Sequence, residues 1–162
     1  MFSSNNSGSK PLADTVDKTT RSRMMAAIKG ANTKPEILVR RALHAAGFRF
    51  RLHVKNLPGK PDIVLPKYRV VIFVHGCFWH GHDCRNFRMP KTRSAFWRNK
   101  IRGNQKRDGH AQELLKSSGW RVATVWECAV SRGPKNKNQK TAEKCTKWIL
   151  GRRRQVSIRG TE

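Results

Sequence analysis

Acidic side chains are scarce in this chain. Ten Asp and Glu stand against 35 Lys and Arg among 162 residues, leaving a formal charge of +25. That imbalance points to a polyanionic partner, nucleic acid first and an anionic membrane surface second. A merely solubilising charged face is the competing reading. No apolar run reaches the roughly 18 residues that a membrane span needs, which excludes a spanning protein. The N-terminus carries no apolar signal core, so a cytosolic, nucleoid-associated protein without a membrane partner is expected. Cysteine is limited to four residues. Without a secretion signal these read better as metal ligands or free thiols than as disulfides. No internal repeat is present, and the length suits one domain with a real core.

Scarcity makes each acid informative. Most of the ten fall at surface or tail positions, but Asp62 opens the apolar run Pro61-Asp62-Ile63-Val64-Leu65. A carboxylate there is costly unless it meets a cation or hydrogen-bond donors.

Residues 1–18 are rich in Ser, Asn, Gly and Asp and read as a disordered tail. Met24, Met25 and Ile28 predict a short helix over 20–28, stopped by Gly30. Thr33, Pro35 and Glu36 predict a capping box opening the next helix, with Gly47 as its stop. Phe48, Phe50 and Leu52 alternate with polar residues and predict a half-buried strand. Strands over 61–65 and 68–75 follow, then a basic stretch. Ser94 is expected to cap a helix reaching about Ser117, weakened by Gly103 and Gly109. Residues 122–128 predict a buried strand, 131–139 a basic loop and Thr141–Leu150 a last helix. Arg152-Arg153-Arg154 begins a basic flexible tail over 151–162, so the single domain is expected over 19–150. The order α-β-β-β-α-β-α suggests an α/β fold with a mixed sheet flanked by helices.

Residues 74–84, Val-His-Gly-Cys-Phe-Trp-His-Gly-His-Asp-Cys, hold three of the six histidines and two of the four cysteines. Cys77, His82, Cys84 and Cys128 supply four N/S ligands, a set suited to tetrahedral structural zinc. The competing reading makes Cys128 a small buried hydrophobe and Cys84 a free thiol. Cys145, on the last helix, reads as packing.

Asp62 begins a hairpin whose second strand ends at Phe73-Val74-His75. Mg2+ takes oxygen ligands, so Asp62, a main-chain carbonyl of the paired strand and phosphate oxygens suit metal-assisted phosphodiester hydrolysis. His80 is a candidate general base if a carboxylate orients it, and Asp108 is the best-placed acid. His75 is a candidate for charge or a proton near the phosphate. Each has a plainer reading: His80 as a spare ligand or surface histidine, Asp108 as a solvated helix acid, Glu36 as a capping acid.

Leu57-Pro58-Gly59-Lys60-Pro61-Asp62, Val71-Ile72-Phe73-Val74-His75-Gly76-Cys77-Phe78-Trp79-His80 and Gly119-Trp120-Arg121-Val122…Val125-Trp126-Glu127-Cys128 resemble the very-short-patch-repair (Vsr) mismatch endonucleases. Thr19-Thr20-Arg21-Ser22 and Thr92-Arg93-Ser94-Ala95-Phe96-Trp97 also fit, so the resemblance covers residues 14–150 in order. Pro61-Asp62 with Phe73 and His75 looks like a variant of the Pro-Asp…(Asp/Glu)-x-Lys nuclease motif.

The resemblance implies a restriction-endonuclease-like domain nicking duplex DNA 5′ to the thymine of a T:G mismatch, left when 5-methylcytosine deaminates. It implies Asp62 and the Val74 carbonyl as Mg2+ ligands, with Glu36 holding metal-bound waters. His80 with Asp108 would activate water, His75 would assist at the phosphate, and Cys77, His82, Cys84 and Cys128 would hold zinc. Phe78, Trp79 and Trp97 would wedge into the base stack, where unstacking costs least at a mismatch, while Met25 and Ile28 reach the opposite groove. For any one aromatic alone, core packing is the competing reading. A functional link to a cytosine methyltransferase and downstream repair proteins, and a monomeric enzyme, are implied. The chain departs from the family pattern at Val74, where Thr is usual, and at Gly81, where a further His can occur. A restriction nuclease of this fold and a zinc-stabilised non-enzymatic nucleic-acid-binding module are the alternatives. Asp62 separates them from each other, because a binding module has no use for a buried acid facing phosphate.

Overall fold

The computed structural model describes residues 17, 19–20, 22–23, 30–130 and 136–160. The chain forms two compact units, Met1–Gly30 and Ala31–Glu162. In the first, Thr19, Thr20, Ser22 and Arg23 are helical. The Asp17 carboxylate accepts the backbone N–H groups of Thr19 and Thr20 at 2.8 and 2.9 Å, an N-capping arrangement. Met25 and Ile28 lie outside the described residues.

The second unit carries the whole sheet. Its elements are α1 (Lys34–Ala45), β1 (Arg51–Leu52), β2 (Ile63–Leu65), β3 (Val70–His75), α2 (Ser94–Ser117), β4 (Arg121–Trp126), α3 (Glu127–Val130), α4 (Lys137–Leu150) and β5 (Gln155–Ile158). The strands lie in the order β1-β2-β3-β4-β5. β1, β2 and β3 pair antiparallel, whereas β3, β4 and β5 pair parallel. The expected mixed sheet with flanking helices is therefore present.

Side-chain alternation decides which face each strand residue serves. Ile63, Leu65, Val70, Ile72, Val74, Ala123 and Val125 pack with Val39 and Leu43 of α1 and Cys145, Trp148 and Ile149 of α4. Val64, Val71, Phe73 and Val122 pack on the opposite face with Leu115 of α2. His75 continues the odd-numbered set of β3 and so belongs to the α2 side.

Several boundaries differ from expectation, each for a local reason. Glu36 does not complete a standard capping box. Its carboxylate accepts from the Asn32 N–H at 2.9 Å and the Thr33 hydroxyl at 2.8 Å, and Thr33 makes no side-chain cap. The first strand shrinks to Arg51–Leu52 because Phe48 is drawn into the core, edge-on to Tyr68 at 5.5 Å. Pro66–Tyr68 form a 3-10 turn, and Arg69 at φ 53° starts β3 two residues late. Arg93, not Ser94, caps α2, and the helix runs unbroken through Gly103 and Gly109. α4 begins at Lys137, inside the expected 131–139 loop, of which 131–135 lie outside the described residues.

The largest departure is the C-terminus. Residues expected in a flexible tail form β5, with Val122↔Gln155 through Val125↔Ile158 in register. Arg121 anchors them: its guanidinium donates to the Trp148, Ile149 and Arg153 carbonyls at 2.6, 2.9 and 3.1 Å. It thus caps the end of α4 and turns the chain back beside β4.

Candidate functional site

The parallel register sets His75 opposite Trp126 at the C-terminal ends of β3 and β4. Beyond His75 the chain turns sharply, with His80 N–H on the Gly76 carbonyl at 3.2 Å and His82 N–H on that of Cys77 at 2.9 Å. The turn folds the His80 ring flat onto His75, centroids 3.8 Å apart and 6° from parallel. Gly81 makes this possible at φ +63°, where a Cβ would meet Ile101 Cγ2 at 2.7 Å and Gln105 Nε2 at 2.8 Å. A side chain at 81 would have to displace Ile101 and Gln105.

Helix α2 closes over the turn. Asn104 donates to the Trp79 carbonyl at 2.7 Å and Gln105 to that of His80 at 3.0 Å. One turn further, Asp108 Oδ2 lies 2.5 Å from His80 Nδ1. Both side chains keep partial exposure, 22% and 25%, so water reaches them. His75 is buried, and burial first, then the neighbouring His80, pull its pKa down to about 4. The metal-free pair therefore offers one neutral imidazole and one that is hydrogen-bonded to a carboxylate.

Asp62 sits just before β2 and accepts the Val74 N–H at 2.7 Å. Burial, opposed by that hydrogen bond and aided by the nearby Glu36, raises its pKa to about 6. A divalent cation would remove this penalty, so the carboxylate fits the expected Mg2+ ligand. Glu36 is buried, with its oxygens on Asn32, Thr33 and, at 2.7 Å, the Arg40 guanidinium. Among the described residues, two groups of three or more metal-ligating side chains converge within 4.8 Å: His75 with His80 and Asp108, and Cys77 with His82, Cys84 and Cys128. Asp62 belongs to neither, so a cation there would draw its remaining ligands from main chain, water or phosphate.

The Cys3His group can hold a metal ion. His82 Nδ1 stands 3.6 Å from Cys77 Sγ and 3.5 Å from Cys128 Sγ. Ligands about 2.3 and 2.0 Å from one tetrahedral ion lie roughly 3.6 Å apart, so the donor spacing fits. Burial raises the free Cys77 thiol, a penalty that a bound cation would lift. Cys128 comes from α3 rather than from the expected strand, because β4 ends at Trp126. Cys145 lies in the core, where burial raises its thiol to about 12, in keeping with packing alone.

Phe78, Trp79 and Trp97 gather into one partly exposed cluster. Phe78 lies edge-on to Trp79 and Trp97, each at 5.2 Å, and Trp79 lies 6.0 Å from Trp97. The segment is a turn and not extended, so Phe78 and Trp79 do not diverge to opposite sides. Phe96, 47% exposed, adjoins Trp97 at 5.2 Å.

Three contributors escaped the sequence reading. Trp126 stacks on His82 at 4.1 Å, Glu127 accepts the Cys77 N–H at 3.2 Å, and Gly160 donates its N–H to Cys128 Sγ at 3.3 Å. A Cβ at Gly160 would overlap the Cys128 carbonyl. The alternation of Gln155-Val156-Ser157-Ile158 was the signal for this strand, masked by the preceding arginines.

The chain is similar to known proteins over most of its length. The profile of the family described as DNA mismatch endonuclease Vsr matches residues 13–86. The DNA mismatch endonuclease Vsr of Escherichia coli is 44% identical over 86% of this chain and 90% of its own length. The Type II nicking enzyme V.XorIIP of Xanthomonas oryzae pv. oryzae is 49% identical, covering 74% of this chain and 88% of the relative. The nicking enzyme V.NmeAIP of Neisseria meningitidis is 45% identical over 72% and 84% respectively.

Proposed function

The chain belongs to the Vsr family of DNA endonucleases, and from that footing we propose that it nicks duplex DNA 5′ to the thymine of a T:G mismatch, with Mg2+ at Asp62. The His80–Asp108 contact carries the reading. An imidazole that donates Nδ1–H to a carboxylate keeps a lone pair on Nε2, and the carboxylate stabilises the imidazolium formed on proton uptake. His80 then serves as the base that takes a proton from the attacking water. Its neighbour His75, neutral and fixed by stacking, donates a hydrogen bond to a phosphate oxygen.

Asp62 and the Val74 carbonyl would hold Mg2+, with Glu36 accepting from its waters. When bound, Mg2+ neutralises phosphate charge and lowers the pKa of water. Zinc in the Cys77/His82/Cys84/Cys128 group would pin the turn after β3 to α3, leaving no open position for chemistry. Phe78, Trp79 and Trp97 are one compact aromatic group, suited to entering a base step as a unit. The mixed sheet with Asp62 at the head of a hairpin strand supports a restriction-endonuclease-like domain. Work downstream of a cytosine methyltransferase, ahead of repair synthesis, in the bacterial cytoplasm and as a monomer completes the reading. No helix among the described residues is long and apolar enough to cross a membrane.

The test is strand-resolved nicking of matched T:A and mismatched T:G duplexes, with and without Mg2+. Selective, Mg2+-dependent nicking 5′ to the mispaired thymine is expected, and its loss in Asp62→Ala with DNA binding retained. Equal cutting of T:A would point instead to a restriction nuclease.

A further inference from the structure

The two side-chain groups above meet on a residue that neither includes. Trp126 ends β4, where register sets it beside His75. Its indole lies nearly parallel to the His82 imidazole, 4.1 Å away and 11° from parallel. The same indole meets His75 edge-to-face, at 5.5 Å and 76°. Its N–H donates to Ser157 Oγ of β5 at 2.9 Å. Contacts from three separate elements leave this ring little freedom.

His75 itself is held largely by rings. Phe73 lies 5.7 Å away on its own strand, His80 stacks on it at 3.8 Å, and Trp126 meets it edge-to-face at 5.5 Å. Ring packing thus defines the imidazole plane that must be kept for a phosphate contact. A chain of contacts runs from Ser157 through Trp126 and His75 to His80 and Asp108, with His82 of the Cys3His group on its flank.

We propose that Trp126 is a positioning residue for the nicking reaction: it fixes His75, and through it His80, using the Cys3His group and β5 as its supports. β5 is then part of the machinery, though it touches no reacting atom. The activity readout rests on the nuclease reading given above, whereas the placement of the ring does not.

Trp126→Leu and Trp126→Phe test it, each checked for one bound metal ion per chain and for cooperative melting. Metal-loaded Trp126→Leu should nick about 100-fold more slowly at saturating DNA, since a displacement near 1 Å costs about that much. Its duplex Kd should stay within about threefold of wild type, and Trp126→Phe should recover most of the rate, because a ring is again present. In NMR spectra the His75 ring signals should broaden or double in Trp126→Leu while those of His53 stay sharp. A metal-loaded Trp126→Leu nicking within threefold of wild type overturns the proposal. So does a rate loss that only follows metal loss and is repaired by added metal. Should Trp126→Leu not fold, Ser157→Ala decides, with an unchanged nicking rate and unchanged His75 signals counting against the proposal. Should the wild-type chain nick no duplex, the nuclease reading fails, and the His75 signals alone decide the positioning role.

Discussion

Asp108 on α2 holds His80 by its Nδ1 atom across 2.5 Å, although 28 residues separate them. The helix supplies the carboxylate and the turn supplies the ring, so neither segment alone is chemically complete. Asp108→Asn keeps the shape but presents an amide that neither stabilises an imidazolium nor enforces the tautomer. Single-turnover nicking should fall by a factor on the order of 10²–10⁴, with duplex Kd unchanged. A rate within threefold of wild type would exclude His80–Asp108 as the water-activating pair.

Removing one thiolate should unseat the metal. Cys84→Ser leaves Cys77, His82 and Cys128 to hold the ion. Bound metal per chain should drop well below one under mild chelation that leaves wild type loaded. The melting temperature should fall by about 10 °C, as the link between the turn after β3 and α3 is lost. Full metal retention in Cys84→Ser would restrict the site to the other three residues.

Asp62 makes an unusual prediction for stability. Its folded pKa, raised to about 6, means that the folded protein binds this proton more tightly than the unfolded chain does. Stability therefore falls as pH rises from about 4 through 6, the reverse of a salt-bridged acid. In buffer without magnesium, Asp62→Asn should be more stable than wild type at pH 7.5, by roughly 1–2 kcal/mol given the group's residual exposure. The gain should vanish near pH 4, and urea midpoints at the two pH values check both signs. Equal midpoints at pH 7.5 would show that Asp62 bears no such penalty.

Gly81→Ala should disturb two functions at once. Its φ of +63° is unfavourable for alanine, and the new Cβ would crowd Ile101 and Gln105 of α2. A loss of roughly 1–3 kcal/mol is expected in thermal or chemical unfolding. Because His80 and His82 flank this glycine, nicking rate and metal retention should both suffer, whereas Gly109→Ala, with nothing within 4 Å of its Cβ, should be neutral or stabilising.

The aromatic cluster should govern discrimination more than chemistry. Trp79→Ala and Trp97→Ala should each weaken binding to a T:G duplex by about 1–3 kcal/mol, the scale of one base stack. Binding to matched duplex should change less, so the T:G to T:A ratio is the quantity to measure. Parallel losses on both duplexes would return these rings to a packing role.

Much of this was legible from residues alone. Asp62 declared itself by its place ahead of Ile63-Val64-Leu65, and the four N/S donors by their chemistry. Strand positions of β2, β3 and β4 followed from apolar runs, because burial on both faces needs unbroken apolar residues. Edges were less legible: β5 alternates for only four residues after a run of arginines, and one arginine, Arg121, holds the segment in place from a distant strand. The helix carrying Cys128 was read as strand because Val125-Trp126-Glu127-Cys128 lacks any local break.

Composition and local pattern thus determined the polyanionic partner, the mixed sheet and the inventory of reactive groups. Only the tertiary structure decided that the members of these groups meet: His80 stacked on His75 beside Asp108, His82 among Cys77, Cys84 and Cys128, and Trp126 between them. The reason is geometric. Residues that close around each histidine lie far from it in the chain. They come from α2, α3 and β4, whose approach is set by strand register, by a glycine turn at 81 and by packing across both sheet faces. Those are contacts over 28 to 50 residues of chain, and no periodicity within a single segment encodes them.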